Sequence, residues 1–214
     1  MKLKKFFTVK NMARVAILSA LAAILMILDF PSFIAPGNMY KLDFGDLPCL
    51  LGGFAMGPFA AFLIVTLKIL IKLLFKPTTT AFVGELANYL LSLIFCVVAS
   101  FIYKKNKTKK NALTSLIISS ALMVVVSGFL NQFVLIPFFS RFYGIPVDNI
   151  ISMGQKVYSD LIYFFTRKEV TTHLIHDTFT FVAYCVIPFN ILKAVLVDIL
   201  IFLLYKRVSP LLKD

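Results

Sequence analysis

The chain has 214 residues, 60% of them hydrophobic, with 22 Lys and Arg against 10 Asp and Glu and a mean hydropathy of +0.91. Soluble domains use roughly 45–50% apolar residues, so this composition leaves too few charged side chains to cover a water-facing surface and marks an integral membrane protein. The net charge of +12 does not signal nucleic acid, because the lysines sit in short blocks beside apolar runs and no zinc, RRM or helix-turn-helix pattern is present.

In chain order, Lys2, Lys4, Lys5, Lys10 and Arg14 stand before or at the start of the first apolar run, Met12 to Phe30. By the positive-inside rule they hold the N-terminus in the cytoplasm, and the run is too long for a signal-peptide core, so a first span over about 12–30 is expected. Ala13, Ala16, Ala20 and Ala23 line one strip of it. Ala16 and Ala20 form a small-xxx-small pair that admits another helix closely, with packing inside the chain as the plain explanation. Pro31, Pro36 and Gly37 break the chain into an outer loop over 31–45. Asp46 is the expected N-cap of a second helix, 46–56, and Gly57-Pro58 reads as a turn before a third, 58–75. A single helix from Leu47 to Phe75 would far exceed a hydrocarbon core of about 30 Å and would place the Lys104–Lys110 cluster outside.

The third helix carries Lys68 and Lys72 with Lys76 just beyond, spaced to share one face. The fourth, 81–103, returns with Glu85 and Asn88 after three threonines. Lys72 and Glu85 fall at similar depth, as do Lys68 and Asn88, so a Lys72–Glu85 ion pair is the preferred explanation of both charges. Glu85 and Asn88 stay among the candidate substrate-binding residues. The fifth helix covers 112–139 and is followed by a charged outer segment, 140–177, with an amphipathic portion suited to a membrane surface. His173 and His176 in it lack a third metal ligand and read as a solvated loop end. The sixth helix, 178–205, ends at Lys206-Arg207. The expected fold is all-α: one membrane domain over 1–214 with six transmembrane helices and both termini cytoplasmic. Cys49, Cys96 and Cys185 are isolated in apolar runs and read as small core residues.

The sixth helix places Asn190 and Lys193 three apart at membrane depth, beside Pro188, which leaves a carbonyl one turn back without its usual partner. A lysine near the centre of a span costs about 2.5–3.5 kcal/mol on insertion scales, so it should face protein or a wet cavity. Asn131 on the fifth helix falls at a comparable depth, roughly 14 to 18 Å from the outer ends. Amides offer donors and an acceptor and an ammonium offers donors, a set that suits the edge of a planar heterocycle with carbonyl oxygens and a ring N–H. Interhelical hydrogen bonds are the alternative, and the residues alone leave both open. No P-loop, His-Glu-x-x-His or Gly-x-Ser-x-Gly pattern is present, so neither ATP hydrolysis by this chain nor a membrane hydrolase is indicated. An embedded enzyme using Glu85 or Asp198 lacks a catalytic pair.

Four stretches together carry a resemblance: Lys41-Leu-Asp-Phe-Gly-Asp-Leu-Pro48 with the following Leu-Leu-Gly-Gly-Phe-Ala-Met-Gly-Pro58, Gly84-Glu-Leu-Ala-Asn88, Asn131-Gln-Phe-Val-Leu-Ile-Pro137, and Pro188-Phe-Asn-Ile-Leu-Lys193. From about Ala13 to Lys213 the chain resembles an S component of an energy-coupling factor (ECF) vitamin transporter, of the riboflavin-specific type. The resemblance implies a substrate-capture subunit of the bacterial cell membrane that is not itself an enzyme, needs no cofactor, and carries riboflavin as its transported ligand. FMN or another vitamin is the alternative ligand. It implies that Asn131, Asn190 and Lys193 bind the polar edge of the isoalloxazine ring and that the loop around Tyr40, Leu42 and Asp43 closes over it. It also implies that Ala16 and Ala20 dock onto a transmembrane coupling subunit served by two ATPases. The 140–177 segment is longer than this type leads one to expect.

Overall fold

The computed structural model describes residues 6–37, 39–168 and 174–212, with 205–212 as backbone only. Lys2, Lys4, Lys5, His173 and Lys213, and the side chains of Lys206 and Arg207, lie outside the described residues. The described helices are α1 (Val9–Ile27), α2 (Asp46–Met56), α3 (Pro58–Phe75), α4 (Val83–Lys105), α5 (Lys109–Leu130), α6 (Ile136–Tyr143), α7 (Val147–Thr166), α8 (Thr178–Phe181) and α9 (Ile187–Leu212). A short antiparallel ribbon pairs β1 (Phe30–Pro31) with β2 (Lys41–Leu42). Two π-helical segments, Asn131–Leu135 and Val182–Val186, join α5 to α6 and α8 to α9.

Among the described residues, five helical stretches are long and apolar enough to cross a membrane: Val9–Ile27, Pro58–Phe75, Val83–Lys105, Lys109–Tyr143 and Thr178–Leu204. The sixth expected span, α2, forms where expected but has 11 residues, about 16 Å of helix and short of a hydrocarbon core. Gly57 explains its end: φ of 98° breaks the helix, and Pro58 starts α3 at a position where a missing N–H costs nothing. The turn reading of Gly57-Pro58 therefore stands. Asp46 is not the N-cap of α2; Gly45 takes that place and Asp46 opens the first turn. Phe30 leaves the first helix for β1, and the expected loop over 31–45 contains β2. Most of the segment 140–177, expected on the outer side, is helical, because α6 runs on to Tyr143 and α7 occupies 147–166.

The chain divides into two compact units, one of residues 1–29, 43–123 and 194–214, the other of 30–42 and 124–193. In the first, Val15 and Ala22 of α1, Leu50 and Phe54 of α2, Ile64 and Val65 of α3, Phe95 and Ala99 of α4, Leu116 of α5 and Val197 and Ile201 of α9 form one apolar core. Two of its lysines are paired with acids. Lys68, fully buried, donates to Asp46 Oδ1 at 2.7 Å and to Ser92 Oγ at 2.9 Å, and Ser92 also contacts Asn88 Oδ1 at 3.3 Å. Lys72 meets Glu85 Oε1 at 2.8 Å, the pair expected from their depth. Thr78 and Thr80 donate to the other Glu85 oxygen at 2.8 and 2.7 Å. Thr78 also accepts from the N–H groups of Thr80 and Phe82, which holds Ala81 and Phe82 in left-handed conformations (φ 48° and 66°) just before α4. The threonines thus fix a strained turn and a carboxylate.

On α1, Ala22 and Ala23 are buried in the chain while Ala13, Ala16 and Ala20 are exposed beside Ile17, Leu21 and Ile24. Packing inside the chain therefore does not account for Ala16 and Ala20.

In the second unit, Ala35, Ile136, Ile150, Ile151, Ile175, Phe181, Val182, Val186 and Phe189 make a separate apolar core. The apolar face of α7 supplies part of it, so this helix covers its own unit along Ile150, Ile151 and Gly154 instead of lying free on lipid. Its final turn exposes Tyr163, Phe164 and Phe165.

Removing one partner of a buried ion pair leaves an uncompensated charge, at a cost of about 3–5 kcal/mol, whereas a half-exposed pair contributes about 0–1 kcal/mol. Lys68→Met is therefore expected to lower the melting temperature in detergent far more than Lys76→Met, whose partner Asp29 sits 2.6 Å away in a pair open to solvent. Equal shifts for the two variants would contradict the assignment.

Candidate functional site

The second unit contains Tyr40, Leu42, Asn131, Asn190 and Lys193. Three of them are deep polar groups: Asn131, Asn190 and Lys193 are 3%, 6% and 8% exposed. Each amide is anchored in the same way. Asn131 Nδ2 donates to the Ser127 carbonyl at 2.8 Å and Asn190 Nδ2 to the Val186 carbonyl at 2.9 Å, in both cases one turn back along the helix. This fixes which end of each carboxamide points away from its own helix: the acceptor, Oδ1.

Both amides belong to a repeated local pattern. The sequences Val134-Leu-Ile-Pro-Phe138 and Cys185-Val-Ile-Pro-Phe189 each carry a proline inside a helix and a π-helical segment just before it. Proline removes one N–H and its ring crowds the preceding turn, and a π-turn absorbs the mismatch by widening the helix by one residue. The carbonyl one turn before Pro188, that of Tyr184, is satisfied from outside the helix: Tyr158 Oη on α7 donates to it at 2.6 Å. That is the orphan acceptor expected from Pro188, and α7 provides its partner. Burial raises the Tyr158 phenol above its ordinary value, so the hydroxyl keeps its proton. On the α5 side, Gln132 Nε2 donates to Thr178 Oγ1 at 2.8 Å, tying the first π-segment to the start of α8.

The ribbon delivers the aromatic member. Ser32 N–H donates to the Tyr40 carbonyl at 3.0 Å, and the Ser32 hydroxyl accepts from Ile34 and Ala35 N–H at 3.1 and 3.0 Å. The Tyr40 N–H reaches the Pro36 carbonyl at 2.9 Å. So held, the Tyr40 ring lies 5.6 Å from that of Phe189 and 6.4 Å from that of Phe181, and its hydroxyl donates to Asn131 Oδ1 at 2.6 Å. Burial pushes the Tyr40 phenol well above its ordinary value, which keeps it a donor. Tyr40 therefore spans from Asn131 to the residue next to Asn190. Leu42 packs against the same apolar core.

The remaining candidates stand in the first unit and have other work there. Asp43 Oδ1 accepts from the Gly45 N–H at 3.0 Å and shapes the turn into α2. Glu85 is engaged by Lys72, Thr78 and Thr80, and Asn88 by Ser92. Asp46, Cys49 and Cys96 bring ligand-type atoms within 4.8 Å of one another. The Lys68 ammonium already supplies the positive charge beside Asp46, and the two thiols donate to the Gly45 and Asp46 carbonyls at 3.2 and 3.8 Å. This trio reads as core, in keeping with the isolated spacing of its cysteines. The residues that sequence reasoning missed are Tyr158, Phe181 and Phe189; the only signal for Tyr158 was the need to satisfy a carbonyl near Pro188.

Residues 10–205 match the family model described as ECF transporter, substrate-specific component. A protein named riboflavin transporter RibU from Staphylococcus aureus (strain TCH60) is 30% identical over 204 residues, 95% of this chain and 93% of that one. The riboflavin transporter FmnP of Bacillus subtilis (strain 168) is 23% identical, covering 94% and 93%, and the riboflavin transporter RibU of Lactococcus lactis subsp. cremoris (strain NZ9000) 27%, covering 87% of each. A solved structure described as the S component of a bacterial ECF transporter superposes with a TM-score of 0.68 at 30% identity, covering 96% of this chain and 98% of that one.

The role given to α7 has a direct test. A Cβ on Gly154 would stand 2.8 Å from the Phe181 ring, closer than real Cβ contacts allow, and β-branching adds to the clash. Gly154→Val is expected to speed amide hydrogen exchange across Thr178–Val186 while leaving α3 and α4 protected. Unchanged exchange there would show that α7 does not support the second π-segment.

Proposed function

The chain belongs to the family of substrate-specific components of ECF transporters, and from that premise we propose that it binds riboflavin outside the cell and passes it inward with partner subunits. One observation carries this reading. The deep polar residues Asn131, Asn190 and Lys193 fall in the same compact unit as Tyr40, whose hydroxyl reaches Asn131 while its ring lies against Phe189. Flavin has an aromatic face and an edge of carbonyl oxygens with one ring N–H. A buried ammonium donates to such oxygens, an amide Oδ1 accepts from the N–H, and aromatic rings pack on the face. Lys193 and Asn190 are assigned to the polar edge, Asn131 joins them when Tyr40 yields its hydrogen bond, and the β1–β2 ribbon carrying Tyr40 and Leu42 covers the ligand. Asp43 acts by shaping the end of that ribbon.

The chain sits in the bacterial cell membrane with six helices, α2 entering as a short one, and with both termini cytoplasmic. The basic stretch Lys104–Lys110 then lies inside, as the charge rule requires. Ala16 and Ala20, exposed on α1 among apolar neighbours, form the face that meets the coupling subunit, and ATP is hydrolysed by its two ATPase partners. This chain performs no chemistry on its ligand.

Titration of the purified protein is expected to quench riboflavin fluorescence stoichiometrically, with FMN binding more weakly. Tighter binding of FMN would replace the ligand, and binding of neither would remove the reading. Lys193→Ala is expected to weaken riboflavin at least about tenfold, since a charged hydrogen bond is worth about 1.5–3 kcal/mol and more when its partner is left buried. An unchanged affinity would make the lysine structural. Ala16→Leu with Ala20→Leu is expected to leave that affinity intact while abolishing cellular uptake, and retained uptake would remove the docking assignment.

A further inference from the structure

One acid lies within the span Thr178–Leu204, and the capture site does not use it: Asp198, in the first compact unit. Its contacts are few. Ser120 Oγ on α5 donates to Asp198 Oδ2 at 2.7 Å, and Asp198 Oδ1 is buried with no hydrogen-bond partner among the described residues. No described basic side chain pairs with it. Along α5 no charged residue follows Lys110, and along α9 the nearest charged residues in sequence are Lys193 and Lys206.

The other acids on the helices of this unit are treated differently. Asp46 faces the Lys68 ammonium at 2.7 Å, and Glu85 faces the Lys72 ammonium at 2.8 Å with two threonine hydroxyls on its second oxygen. A carboxylate that keeps its charge in a low-dielectric setting needs such company, and one without it takes up a proton instead. We propose that Asp198 and Ser120 form a proton-binding site inside the membrane, with Asp198 carried as the neutral acid. The proton rests on Oδ1, and Oδ2 accepts from the Ser120 hydroxyl. Oδ1 is then an O–H donor held in reserve, and bringing an ammonium or guanidinium against it would release the proton.

A lipid-soluble carbodiimide reads this state. The acid adds O–H across a C=N bond of the reagent, the carboxyl oxygen bonding to carbon and the proton going to nitrogen; migration of the acyl group to nitrogen then leaves a stable N-acylurea with nothing expelled. The full chain in liposomes, treated with dicyclohexylcarbodiimide near pH 7, is expected to carry the adduct on the peptide containing Asp198 and not on those containing Asp46 or Glu85. Asp198→Asn, which keeps the shape of the neutral acid, is expected to cut incorporation at least about tenfold without loss of folding. The infrared spectrum of the unmodified chain decides the point without a variant: a carboxylic-acid C=O band that shifts on H/D exchange is expected. Absence of that band, its persistence in Asp198→Asn, or labelling of Glu85 with Asp198 unlabelled would overturn the proposal.

Discussion

Hydrocarbon offers no hydrogen bonds, and that constraint decides what this chain does with every polar group it carries into the membrane. Lys68 is enclosed by Asp46 and Ser92, Lys72 by Glu85, and Glu85 by two threonines. Serines within the helices return their hydroxyls to carbonyls of the preceding turn, as Ser19 does to Val15 and Ser100 to Cys96. In the first unit the account nearly closes within the chain. The second is more open: Asn131, Asn190 and Lys193 are all carried to depth, and Gln132 Oε1 is buried with no hydrogen-bond partner among the described residues.

The helix defects of the second unit follow from the same constraint. Two prolines in mid-helix would each strand a carbonyl, and the protein answers with π-segments and, at Tyr184, with the hydroxyl of Tyr158. A widened turn also re-aims the side chains around it. Asn131 opens one π-segment, and Asn190 follows the other by four residues. The prolines, the π-turns and the supporting helix α7 are therefore one device for presenting two amides, and Tyr40 reaches one of them from the ribbon.

The sequence makes the apolar runs, the Gly57-Pro58 turn and the Lys72–Glu85 pair legible, because length, a positive-φ position and matched depth are local or nearly local properties. It also marks Asn131, Asn190 and Lys193, since polar residues at membrane depth stand out against their neighbours. The Lys68–Asp46 pair is hidden, because Asp46 looks like a helix cap and its partner lies 22 residues on. The β1–β2 ribbon is hidden as well: each strand has two residues, too few for alternation to register. The amphipathic pattern of α7 is visible, yet the pattern cannot say whether the apolar face meets lipid or the chain, and Gly154 against Phe181 decides for the chain.

The central claim is that the buried polar side chains of the second unit, Asn131, Asn190 and Lys193, meet the edge of a flavin ring. Competitive titration of riboflavin against its N3-methyl derivative tests it most directly, because the derivative keeps the ring, the ribityl chain and both carbonyl oxygens and loses only the ring N–H. The account predicts that methylation weakens binding at least about tenfold, the cost of a buried acceptor left without its donor together with the crowding of the added methyl. Equal affinity for the two compounds would mean that no amide reads that edge, and would contradict the account.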